Sequence, residues 1–250
     1  TVTAAGGRLL RQWLQRPRRD RGELARRQSA VAALAREAMA RETIRETLSD
    51  AYDLERLAAR ATSGNADARD LRAAQGTLAL SSAVADAVAE TDRLADSPLS
   101  DVLAGADRDA AAALAAELDD ALVEDPPGTV TRGGLFRRGY DDELDELVDE
   151  HEAALEWLET LPDREKGKTG ITHLSVDRNK TDGYYIQVGK SETDAVPDAY
   201  EEIKTLKNSK RYTIPELDEK ERDVLRLEER RHEMERDLFE DLRARVAERA

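Results

Sequence analysis

Residues 205–217 read TLKNSKRYTIPEL, a strand pattern that runs into a helix start. Arg211 and Thr213 alternate with Tyr212 and Ile214, the two-residue period of a strand. Pro215 and Glu216 then open a helix, because proline at the first helical position gives up an N–H that would lack a partner there. A strand therefore passes directly into a helix. Lys204, Lys207, Lys210 and Arg211 crowd this stretch, with Asn208 among them. Every lysine of the chain lies between Lys166 and Lys220, and arginine supplies the positive charge elsewhere.

Toward the C-terminus, Leu217, Val224, Leu227, Met234, Leu238, Leu242 and Val246 form an apolar seam. Toward the N-terminus, Tyr140, Leu144, Leu147, His151, Ala154 and Leu158 form another, at alternating spacings of four and three. These seams predict helices over 140–161 and 215–249. The segment between them must start and finish at the same place. An antiparallel pair of long helices with residues 162–216 mounted at its tip is the economical arrangement. Residues 135–161 carry ten acidic and two basic side chains, against ten and eight in residues 221–250. Arginines on the second helix can thus face carboxylates on the first, in pairs that mainly set register. His151 and Arg231 fall near the middle of the seams and are expected to form a polar register layer, not a catalytic pair.

The tip reads as a small β unit. Residues 171–176 (ITHLSV) alternate, and 184–188 (YYIQV) are rich in strand formers. The polar run between them ends in Gly183, as a hairpin loop would. After Pro197, DAYEEI is expected to make one helical turn, and Lys204 to Ile214 to return as a third strand. Residues 162–220 carry eleven basic and twelve acidic side chains, so they are far less acidic than the rest of the chain. Lysine ammoniums beside Asn208 and Asn179 suit phosphate contacts that position a nucleic-acid backbone without reading bases. The alternative is that these lysines only keep a small sheet soluble, and composition alone leans that way.

The first half of the chain is helical. A short helix over 8–16 places Leu9, Leu10, Trp13 and Leu14 on one face and stops at Pro17. Asp20 and Glu23 stand three apart, as a capping box requires, ahead of a helix with Leu24, Val31, Leu34 and Ala35 as its stripe. That helix either ends near Met39 or continues through a break to Leu48. Further helices are expected over 50–61, 67–91 and 107–123, with Ser97-Pro98 as a break. Pro126-Pro127-Gly128, an extended piece at 129–131 and Gly133-Gly134 lead out. The fold class is therefore mainly α. It is a helical bundle over 1–134, a long helical arm over 135–161, a β-rich segment over 162–216 and a second arm over 217–250.

Composition narrows the function. The 250 residues carry a net charge of −15, which argues against a wholly basic nucleic-acid binder and suits a salt-loving cytoplasm. There is no cysteine, and His151, His173 and His232 lack ligand spacing, so neither disulfide nor metal site is expected. No apolar run is long enough for a membrane span and no signal peptide opens the chain, which looks like a piece cut from a longer protein. Gly167-Lys168-Thr169 mimics the end of a phosphate-binding loop, but Pro162 and Asp163 stand where its first glycine belongs and a strand follows it. The carboxylates from Asp141 to Glu146 read as a solvated helix face. No active site is expected.

Four blocks carry a resemblance: GGRLLRQWLQRPRRD at 6–20, DLERLAAR at 53–60, GITHLSVDRNKTDGYYIQV at 170–188 and TLKNSKRYTIPEL at 205–217. In this order they are similar to the middle of the MutS family of DNA mismatch repair proteins. The resemblance covers nearly the whole chain, and its last two blocks are highly specific. It implies that residues 1–134 are the family's core domain, 135–161 and 217–250 its ascending and descending lever helices, and 162–216 its clamp. In the family the clamp grips the double-stranded DNA backbone without sequence preference, while two subunits close a ring around the duplex. The levers couple the clamp to an ATPase.

Lys207, Asn208 and Arg211, followed by Lys204, Lys210 and Lys180, are the residues expected to contact phosphate. Neither the family's mismatch-wedging Phe-x-Glu nor its Walker A loop is present; Phe239-Glu240 is not the former. The chain is accordingly expected to be no enzyme itself and to hold no cofactor, with ATP and Mg bound elsewhere in the full-length protein. A homodimer, a MutL-type partner, no membrane and a cytoplasmic location are implied. Asp177, Asp182, Glu192 and Asp194 oppose DNA binding. A coiled-coil stalk whose tip binds a protein, and a MutS-like protein of recombination, are the competing readings.

Overall fold

A computed structural model describes residues 1–249. The chain forms ten α-helices and one four-stranded antiparallel sheet among the described residues. It divides into two compact units. One comprises residues 1–140 together with the chain's end from Glu235, and the other comprises Asp141–Met234.

The first unit is helical. It contains α1 (Ala4–Gln15), α2 (Arg21–Arg36), α3 (Ala38–Ser49), α4 (Leu54–Thr62), α5 (Ala68–Ala89), α6 (Asp92–Ala95), α7 (Pro98–Ala104) and α8 (Arg108–Ala121). Side-chain caps set most of the starts. Asp53, Asp67 and Asp107 each accept a backbone N–H three residues on, satisfying a donor that no helical carbonyl can reach. Asp67 and Asp70 form a full capping box. Asp20 caps α2 as expected, accepting from Gly22 and Glu23 N–H, but the Glu23 carboxylate turns to Arg27 Nε at 2.8 Å. Ser97-Pro98 breaks one helix and begins another, the Ser97 hydroxyl accepting from Leu99 N–H. α2 does continue through a break, at Glu37, into α3.

α5 is the central member, packed against α3 and α8. Leu71, Leu94, Leu118 and Leu122 are fully buried in this unit. The expected apolar face of α1 does not reach that core: Leu9, Leu10, Trp13 and Leu14 are all exposed. Arg8 instead fastens α1, gripping the Asp53 carboxylate from both guanidinium nitrogens and reaching Glu55 at 2.6 Å. The segment 129–131 is not extended; Val130–Arg132 makes a single 3₁₀ turn.

α9 (Asp142–Thr169) carries the first seam, and α10 (Pro215–Glu248) carries the second. α9 runs through Pro162 and eight residues past its expected end. Proline removes one intrahelical hydrogen bond. Burial of Leu161, Glu165 and Ile171 on both sides of that break offsets it, and the helix stops only at Gly170, with φ +73°. Leu147, Ala154, Leu158 and Leu161 join Leu217, Val224 and Leu227 in one core, with Met234 against it. Burial lowers the basicity of His151, and Arg231 adds to this.

Around Met234 and Leu238 the buried position on α10 shifts by one residue, and the expected seam is rejoined at Leu242 and Val246. Glu235, Phe239, Leu242 and Val246 are buried, while Leu238 is only half-buried. A 3.6-residue helix drifts off a seven-residue repeat, so the seam does not hold at every turn.

Candidate nucleic-acid interface

The β unit has strands β1 (Leu174–Asn179), β2 (Gly183–Gly189), β3 (Glu201–Thr205) and β4 (Ser209–Thr213), in the order β1-β2-β4-β3. The expected third strand is thus a hairpin of two, folded at Leu206-Lys207-Asn208. The acidic run expected as a helical turn supplies β3. Its residues are all exposed, so pairing with β4, and not local preference, makes it a strand. One face of the sheet buries Leu174, Ile186, Val188 and Tyr212 in the core shared with α9 and α10. The register Ile186↔Tyr212 and Gly189↔Ser209 puts the β3–β4 turn beside the end of β2. The β1–β2 turn, closed by Gly183 at φ +68°, lies at the opposite end.

The other face carries the charges. Gln187 and Arg211 are paired across β2 and β4, and Lys204 and Arg211 across β3 and β4. Asp182, from the β1–β2 turn, reaches this row and takes Arg211 Nη1 at 2.7 Å and Lys204 Nζ at 3.7 Å. Arg211 stacks on the Tyr185 ring at 4.0 Å and donates to Gln187 Oε1 at 3.4 Å. The Asn179 amide donates to Asp182 at 3.0 Å, and with Arg211 it holds that carboxyl below the ordinary range. Asn179 is occupied: its Oδ1 accepts Thr181 and Asp182 N–H and closes the turn. Lys210 Nζ meets Glu202 at 2.7 Å, which lowers the pKa of Glu202 and raises that of Lys210.

The six expected contact residues therefore separate. Arg211, Lys204 and Lys210 are engaged by carboxylates of the same unit. Lys207 and Asn208 stand exposed at the β3–β4 turn, and Lys180 stands exposed at the β1–β2 turn. Lys190 was passed over in the sequence and is also exposed, just past β2. Its backbone N–H donates to the Asn208 carbonyl at 3.1 Å, which places it beside the Lys207 turn. The signal for it was its membership of the confined lysines, together with its position at the end of a strand.

Of the four opposing acids, Asp182 and Glu192 are held by partners within the unit. Glu192 accepts Thr172 N–H at 2.9 Å, His173 N–H at 2.8 Å and His173 Nδ1 at 2.8 Å. The two backbone donors lead in pulling its pKa down to about 2. Glu165, on α9, is buried and accepts from Lys168 Nζ at 2.8 Å and from the Tyr200 hydroxyl. Among the described residues there is no cluster of three or more metal-ligating side chains, and no helix is long and apolar enough to cross a membrane.

These features meet a family match. The model of MutS domain III matches residues 1–250. DNA mismatch repair protein MutS 1 of Haloarcula marismortui is 81% identical over all 250 residues, and that of Halobacterium salinarum is 59% identical over the whole chain. DNA mismatch repair protein MutS of Thermus aquaticus is 39% identical, again over the full chain. The chain spans 27% to 29% of the length of these relatives. It belongs to the MutS domain III family.

Proposed function

We propose that this chain is the core, lever and clamp section of a MutS-type mismatch repair protein, and that its β unit grips the backbone of duplex DNA without reading sequence. The observation that carries the reading is the β3–β4 turn. Lys207 and Asn208 project there from a sheet seated on α9 and α10, and Lys207 meets no carboxylate among the described residues. An ammonium and an amide are donors suited to phosphate oxygens, and neither geometry selects a base. The resemblance of the two most specific sequence blocks to the family's clamp supports the same assignment.

In this reading α10 acts as a lever because it is one uninterrupted helix from Pro215 to Glu248. Its buried positions begin against the sheet and end near the core helices, where Arg245 Nε meets Glu117 of α8 at 3.0 Å. ATP, Mg and their hydrolysis belong to other parts of the polypeptide, as do mismatch recognition and a MutL-type partner. Two copies closing around DNA are expected to set the grip.

The test is duplex binding across a salt series by the full-length protein, beside a Lys207→Glu, Asn208→Ala double variant. Each phosphate contact contributes about 0.9 to the slope of log affinity against log salt. A shallower slope and weaker binding in the variant, alike on matched and mismatched duplexes, are expected. An unchanged slope would leave a protein-binding tip as the better reading.

A further inference from the structure

Five of the chain's lysines pair with carboxylates. Lys166 meets Asp163, Lys168 Glu165, Lys204 Asp182, Lys210 Glu202 and Lys220 Asp223, at 2.7 to 3.8 Å. Among the described residues the remaining three, Lys180, Lys190 and Lys207, pair with none. Two of these three share one corner of the sheet. The Lys190 N–H to Asn208 carbonyl bond of 3.1 Å stitches the segment after β2 to the β3–β4 turn. Lys180 lies at the other end of β2, about 20 Å away at roughly 3.3 Å per strand residue.

The acid nearest Lys190 in sequence, Glu192, makes no ion pair with it. Glu192 has its carboxylate bound to Thr172 and His173 of the chain entering β1. Three hydrogen bonds occupy that carboxylate, and none of them involves Lys190. The corner is thus a local cation pair with an amide, in a segment whose total charge is slightly negative.

We infer that Lys190 is a further phosphate-contacting residue, and that Lys190, Lys207 and Asn208 form one two-phosphate grip. Arg211, Lys204 and Lys210 hold the sheet and do not touch DNA. The inference rests on the proposed backbone-gripping function and adds to it a residue and a division of labour. The spacing of the corner is fixed by backbone hydrogen bonds, so both ammoniums are presented without ordering a loop at the moment of binding.

The experiment compares salt slopes for the full-length protein on a plain duplex with Lys190→Ala, Lys207→Ala, the double variant and Lys180→Ala. Circular dichroism melts confirm that each is folded. Lys190→Ala and Lys207→Ala are each expected to reduce the slope by about 0.9, and the double variant by about twice that. If Lys207→Ala lowers the slope and Lys190→Ala does not, the shared corner is wrong while the backbone-gripping function stands. If no variant moves the slope, the gripping function itself falls and the corner with it. A slope loss confined to Lys180→Ala would overturn the corner and move the grip to the opposite turn.

Discussion

Removing the carboxylate of Glu235 should loosen the turn that leads out of the helical core. Glu235 is 1% exposed, on a stretch of α10 that otherwise buries apolar side chains. Its carboxylate accepts Gly134 N–H at 2.9 Å and Leu135 N–H at 3.2 Å. Those donors belong to a turn in which Gly133 and Gly134 both hold positive φ, at +67° and +78°. Hydrogen bonds to a charged group contribute about 1.5–3 kcal/mol each. Two of them give an upper bound of about 6 kcal/mol. Glu235→Ala opens space for a water that can satisfy one donor, so the expected loss is about 3 kcal/mol. Glu235→Gln keeps the shape and one acceptor oxygen but turns an NH₂ toward a backbone N–H, and about half that loss is expected. Urea unfolding at fixed salt measures the stabilities, and amide exchange at Leu135 reports the turn directly. A Glu235→Ala protein within 0.5 kcal/mol of the parent, with Leu135 exchange unchanged, would mean that these two bonds do not hold the turn.

Three other outcomes follow from the same geometry. Phe239→Ala should cost about 3–5 kcal/mol, because the ring is 2% exposed, whereas Leu238→Ala should cost clearly less; equal losses in denaturant unfolding would restore the expected seam at Leu238. The Glu192 pKa is depressed to about 2, so its stabilising contribution is complete above its ordinary value of 4.5 and disappears as pH falls toward 2. The protection factors of the Thr172 and His173 amides should fall over that window in the parent and lose this step in Glu192→Gln; the same step in both proteins would assign it to another group. Arg211→Ala should lower the melting temperature of the β unit, since it severs the bond to Asp182 and the stack on Tyr185, while Lys207→Ala should leave it unchanged. The reverse ranking in thermal melts would mean that the contact and scaffold roles have been exchanged.

What could be read from the sequence was what periodicity and local chemistry decide. Leu144, Leu147, Ala154 and Leu158 recur at heptad spacing and are buried, and Asp20 and Pro215 start helices for reasons contained in their own side chains. What could not be read depends on distant neighbours. Glu201 to Thr205 has the composition of an exposed turn and becomes a strand only because β4 lies alongside. Pro162 carries every local signal of a helix end, yet the packing of Leu161 and Ile171 carries α9 through it. Glu235 carries no sequence signal that sets it apart from the other acids of α10. Its burial follows from two N–H groups about a hundred residues away in the chain. Trp13 and Leu14 show the opposite error: an apolar face predicts burial, and here that face is exposed.

The candidate site poses the same distinction in charge. Counting residues over 162–220 gives a slightly negative segment, which by itself speaks against binding a polyanion. A phosphate, however, responds to the potential within about a Debye length, roughly 8–10 Å in ordinary salt. On that scale the pairing pattern matters more than the sum. Asp182 is paired with Arg211 and Lys204 and Glu202 with Lys210, while Glu192 is hydrogen-bonded to the Thr172 and His173 backbone. Each of these acids is thereby removed from the competition for Lys190 and Lys207. Extra carboxylates can accumulate on such a unit, as an acid-rich chain requires, without cancelling its grip, provided each arrives with an internal partner. Of the cations expected to contact phosphate, Arg211, Lys204 and Lys210 are consumed in this way, while Lys207 of the leading group stays free of carboxylates among the described residues and, with Lys190, is what a phosphate would meet.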